Sequence, residues 1–72
     1  MKIHLRDSNT KMYYAGPNRW VAEGLNAFDF ERIERAAQLS HQQSFAKTEV
    51  VLSYEEPLCE LALPVTREMI EA

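Results

Sequence analysis

A disulfide framework is out of reach for this chain, because Cys59 is its only cysteine. One free thiol suits a reducing compartment, so the sequence predicts a cytoplasmic domain. Long apolar runs are missing too. No stretch approaches the ~20 apolar residues of a membrane helix. The opening MKIHLRDSNT lacks the apolar stretch of a signal peptide. No membrane partner is expected. Glycine is scarce: the two glycines stand eight apart, which leaves no Gly-rich phosphate loop. Zinc-ligand spacing is absent, since one cysteine and two distant histidines make no zinc set. Asp7, Asn9 and Thr10 superficially resemble part of a calcium loop, but the other ligands and the required glycine are missing. No metal and no cofactor are expected.

What is present is the composition of a globular chain. With 46% hydrophobic and 26% charged residues, it is rich enough in apolar groups to fold. Its length sets one domain, residues 1–72. A chain this short buries only about 60% of the surface its unfolded form exposes. Its stability should be roughly 4–10 kcal/mol, and such domains often gain from a partner subunit. The net charge of −3 is unevenly spread: residues 1–20 carry a net +3 and the rest carry −6. The two ends attract each other inside one fold, or they leave a bipolar surface that helps copies or partners dock.

Hydrophobic periodicity divides the chain into elements. In MKIHLR, Ile3 and Leu5 alternate with Lys2, His4 and Arg6, which predicts a half-buried strand with His4 solvated. DSNT is a turn cluster, and KMYYAG resumes extended character, so the two runs make a hairpin. Gly16-Pro17-Asn18 stops the second strand. Arg19-Trp20-Val21 is a candidate third strand, followed by a loop around Gly24. From Asp29, a good helix cap, the period changes. Phe30, Ile33, Ala36, Ala37 and Ser40 form a stripe at helical spacing, ending near Gln43. Glu31 and Arg35 stand four apart in the favourable order. TEVVLSY and LCELALP flank the turn EEP as a second hairpin, with Cys59, Leu61 and Leu63 on one face. Residues 65–72 form a short C-terminal helical turn or a frayed tail. The order β-β-(β)-α-β-β predicts an α+β fold: an antiparallel sheet of about four strands with one helix packed on one face. Strand order does not follow from the sequence.

Three function classes compete. Catalysis would need Cys59 as nucleophile with His4 or His41 as base. Cys59, however, shares a strand face with Leu61 and Leu63, where a cysteine acts as a small hydrophobe. His41 sits late in the helix, where positive charge suits the dipole. Glu55 and Glu56 are adjacent in a turn and splay apart. No catalytic residue is assigned. Single-stranded nucleic-acid binding would use Lys2, Arg6, Lys11, Tyr13, Arg19 and Trp20, a local basic and aromatic patch within residues 2–20. The acidic pI of about 5.3 opposes it. Interaction or self-association is the main expectation: a non-catalytic module with a homodimer or an unidentified protein as partner. The sheet face away from the helix would carry apolar residues, and an edge strand could pair with another chain. Within YYAGPNRW, the phase of Met12 and Tyr14 puts Tyr14 in the core and Tyr13 on the surface. Trp20 is expected to pack near Phe28 or Phe30. That leaves Tyr13, Arg19, Lys11 and Arg6 as partner-binding candidates.

The frame of Lys11, Tyr13, Tyr14, Ala15, Gly16 and Trp20, followed by Ala27-Phe28-Asp29-Phe30, resembles small bacterial and phage-type proteins. The resemblance covers most of residues 2–63. It implies an α+β fold and carries no activity.

Overall fold

The computed structural model describes residues 1–56 and 58–71. Pro57, in the expected EEP turn, and Ala72 lie outside them. Along the chain run β1 (Lys2–Asp7), β2 (Tyr13–Gly16), β3 (Arg19–Val21), α1 (Ile33–Gln42), β4 (Thr48–Glu55), β5 (Leu58–Pro64) and α2 (Arg67–Glu71). The strands make one antiparallel sheet in the order β3-β2-β1-β4-β5. The fold is α+β, as expected, with five strands rather than about four. The added strand is Arg19-Trp20-Val21, which pairs with β2 at the sheet edge.

Register decides what the core contains. Ile3 stands opposite Leu52 and Leu5 opposite Val50, so all four share one face. All four are buried, and α1 lays Ala36, Ala37 and Ser40 against that face. The small side chains let the helix axis approach the sheet closely. The Ser40 hydroxyl pairs with the Thr48 hydroxyl at 2.5 Å, so the polar groups at this contact satisfy each other. Phe30 closes one end, with Tyr14, Ile33, Leu39 and Phe45 packed around the cluster.

The helix starts later than the sequence suggests. Asp29 does not cap it. Its carboxylate accepts the backbone N–H of Ile3 at 3.0 Å and of Glu31 at 2.9 Å. Glu31 has φ +67°, which breaks helical propagation, and Arg32 takes the cap position without a side-chain bond. The expected Glu31–Arg35 helix pair is therefore lost, and Arg32 pairs with Glu34 at 3.6 Å instead. The segment Phe28–Phe30 bridges β2 and β1. Phe28 N–H donates to the Tyr14 carbonyl, and Phe30 N–H donates to the Ile3 carbonyl.

Four side-chain expectations change. His4 is 2% exposed rather than solvated. Its Nδ1 lies 2.9 Å from the Phe28 carbonyl, which can only accept, so Nδ1 carries the proton. Tyr13 is on the face opposite α1, as its phase requires, yet it is 7% exposed because the Gly24–Asn26 turn covers it. Cys59 is exposed rather than core. Trp20 is half-buried and packs edge-on against Tyr14 at 5.7 Å and Phe45 at 5.3 Å, not against Phe28 or Phe30.

Candidate functional site

Strand pleating places Arg6, Tyr13 and Glu49 together on the face away from α1, because Arg6 is the cross-strand partner of both. Arg6 Nε donates to Glu49 Oε2 at 2.5 Å, and Arg6 Nη1 donates to the Tyr13 hydroxyl at 3.2 Å. The Tyr13 hydroxyl donates to the Glu60 carboxylate at 2.9 Å. Lys11 Nζ lies 3.6 Å from Glu49. Three of the four candidates, Tyr13, Lys11 and Arg6, are thus brought together. The fourth, Arg19, is not: it is exposed on β3, opposite Gly16.

Electrostatics make this cluster a closed set of pairs. Burial pulls the Arg6 guanidinium down, but the bonds and charge of Glu49 and Tyr13 outweigh it and hold it above its ordinary value. Burial pushes Glu49 up, and Arg6 with Lys11 outweighs that and holds it below the usual carboxylate range. Burial, then the Glu60 bond, raise the Tyr13 phenol against the pull of Arg6. Each charge has its partner inside the fold. Glu49 and Glu60 lie 43 and 47 residues from their partners Arg6 and Tyr13. Only their strand phase, shared with Val51 and Ala62, could have marked them in the sequence.

Concavities lie elsewhere on the surface. One of about 580 Å³ opens at the C-terminal end of α1, lined by Ser40, His41, Ser44, Phe45, Lys47 and Ile70 among others. Among the described residues, no carboxylate or thiol lines it, so His41 finds no acid–base partner among them. A cleft of about 200 Å³ lies between Tyr14, Pro17, Trp20 and Phe45. Among the described residues, no group of three or more His, Cys, Asp or Glu is placed to hold a metal ion.

The two sheet edges differ sharply. β3 has three residues, begins with Arg19, and meets β2 across a bulge between Tyr14 and Gly16. Shortness, charge and a bulge all protect an edge. β5 has seven residues in unbroken register with β4 and is exposed almost throughout. Leu58 is 88% exposed and Leu61 is 50% exposed. Its free hydrogen-bonding groups follow from parity. Ile3 bonds Asp29 and Phe30, away from β4, so its partner Leu52 turns toward β5. The Val65 N–H bond to the Thr48 carbonyl has the same phase. Cys59, Leu61 and Leu63 therefore bond β4, while Leu58, Glu60, Ala62 and Pro64 point outward. Pro64 has no N–H and blunts only the end of the edge. The one charge on β5, Glu60, is drawn across the sheet by Tyr13.

No family model, curated protein or solved structure matches this chain. Among the described residues, no helix is long and apolar enough to cross a membrane.

Proposed function

We propose that this chain is a non-catalytic interaction module that docks by adding a strand at β5. The observation that carries the reading is the seven-residue free edge, unbulged and apolar, beside a short protected edge at β3. An unpaired row of N–H and C=O groups is a template for another extended chain. The exposed Leu58 and Leu61 add apolar area that pairing would bury. The exposed Cys59 thiol suits a reducing cytoplasm, where it stays free.

Single-stranded nucleic-acid binding near residues 2–20 has less support. A stacking platform needs an open aromatic face, whereas Tyr13 lies under the Gly24–Asn26 turn. Backbone binding needs free cations, whereas Arg6 is committed to Glu49 and Lys11 lies beside it.

Amide hydrogen exchange tests the docking edge. In dilute solution the Glu60 and Ala62 amides should exchange fast while Leu61 is protected. Adding a synthetic peptide carrying residues 58–64 in excess should slow Glu60 and Ala62. Ala62→Pro, which removes an outward N–H only, should abolish that protection. Fast exchange at both amides under every condition would sink the proposal.

A further inference from the structure

We infer that the strand added at β5 belongs to a second copy of this chain, paired antiparallel about a two-fold axis at Leu61. The inference rests on the docking edge proposed above and specifies its occupant and register. A two-fold pairing of β5 with itself must oppose outward residues to outward residues, which leaves few registers.

Placing the axis at Leu61 sets Glu60 opposite Ala62 of the partner copy, and Ala62 opposite its Glu60. Each of these pairs exchanges both backbone bonds. Leu58 N–H then meets the carbonyl of the partner's Pro64, so the missing proline donor costs little. Leu61 faces Leu61 of the other copy on the helix side, covering two side chains that are each 50% exposed in the single chain.

The neighbouring registers are worse. An axis at Glu60 sets like charges directly opposite each other, which destabilises antiparallel pairs. An axis at Ala62 pairs Glu60 with the donorless Pro64 and strands Leu58 past the end of the partner strand. An axis at Cys59 leaves the Ala62 donor without a strand partner. Only the Leu61 axis uses the whole strand.

Cysteine cross-linking reads the register directly. In the Leu61 register the two native Cys59 positions are offset by four residues, about 13 Å along the strands, which is beyond disulfide reach. A residue at 61 would face its copy at about 4.5 Å between Cα atoms. Leu61→Cys in a Cys59→Ser background should therefore cross-link under mild oxidation, and the wild-type chain should not. Isotope-filtered NOEs between Leu61 methyls of mixed-label wild-type samples give the same answer without substitution. Ala62→Pro deletes two interstrand donors per dimer and should weaken dimerisation about thirtyfold by sedimentation equilibrium.

Cross-linking through Cys59 together with loss of the Leu61 contact would overturn the register while leaving the edge in use. A strict monomer at millimolar concentration would overturn the second copy as occupant, and peptide protection of Glu60 and Ala62 would then still support docking at β5. A dimer indifferent to Ala62→Pro, with both amides unprotected, would overturn the inference and the docking edge together.

Discussion

Replacing Tyr13 with alanine tests the reversal at the centre of the sheet's second face. As a surface residue, Tyr13 could be truncated at almost no cost. In the fold its ring lies edge-on to His4 at 5.8 Å, with the Arg6 guanidinium 5.5 Å from its centre. A methyl group at Gly24 would stand only 3.6 Å from the ring. Removing a buried aromatic side chain costs about 3–5 kcal/mol. The lower end applies, because a one-turn loop can settle into part of the space. About 3 kcal/mol is a large share of a stability of roughly 4–10 kcal/mol. Tyr13→Phe isolates the hydroxyl. Glu60 is 41% exposed and can rehydrate, and Arg6 keeps Glu49, so the loss should be about 1 kcal/mol. In a domain of this size that lowers Tm by about 4–8 °C. Urea unfolding of both variants at one dilute concentration, with unchanged slope, gives the two numbers. A loss below about 1 kcal/mol for Tyr13→Ala would refute burial of the ring. Equal losses for the two variants would assign the whole effect to the hydroxyl.

Acid should destabilise the fold through Glu49 and Asp29. Both are depressed in the folded chain, so their stabilisation is present above their ordinary values of 4.5 and 3.8 and is lost as pH falls through the lower folded values. Glu49→Gln and Asp29→Asn should each flatten the acid limb of a stability–pH curve; an unchanged limb in both would refute the pairings. The Tyr13 phenol is raised, so its share is complete below 10.0 and disappears as pH rises through the folded value; Tyr13→Phe should remove that alkaline loss. Gly16→Ala should cost about 1–3 kcal/mol although nothing lies within 4 Å, because φ is +144°. Gly24→Ala should stay within about 0.5 kcal/mol, since its new contacts are ordinary van der Waals ones. Equal thermal shifts for the two glycine variants would show that backbone conformation does not set the difference.

Alternation made the strands legible. Ile3 and Leu5, then Val50 and Leu52, announce one buried face, and Ala36, Ala37 and Ser40 announce the helix stripe that covers it. Two kinds of information were not local. Glu31 has a positive φ, and the Asp29 carboxylate is taken by the Ile3 amide, a contact 26 residues away, so the helix start does not follow from capping preference. His4 and Tyr13 alternate as polar-face residues should, but phase reports which face a side chain occupies, not whether a loop crosses that face. The sequence around Gly24 carries no sign that its turn will lie over Tyr13. Of the binding candidates, Arg6, Lys11 and Tyr13 lie together in the fold, yet their partners Glu49 and Glu60 convert a free basic patch into internal pairs.

Cys59 and Leu61 show why strand order matters more than strand pattern. Both lie on the same face as the core residues Val50 and Leu52, and on pattern alone both belong inside. A helix is about 10 Å across with its side chains, and strands are about 4.8 Å apart. One helix therefore covers about two strands. Here α1 packs on β1 and β4, the central strand and its inner neighbour. On the β2 side, Phe28, Phe30 and Phe45 surround Tyr14 and extend the cover. On the β5 side, α2 packs against α1, and Leu63 and Val65 near the end of β5 reach the core. Cys59 and Leu61 lie farther along the strand and stay open. Among the described residues the other helix, α2, has only five residues and is not laid over them. The alternation of LCELALP is thus a core pattern without a cover in the single chain, and the proposed two-fold partner at Leu61 would supply that cover from the same sequence.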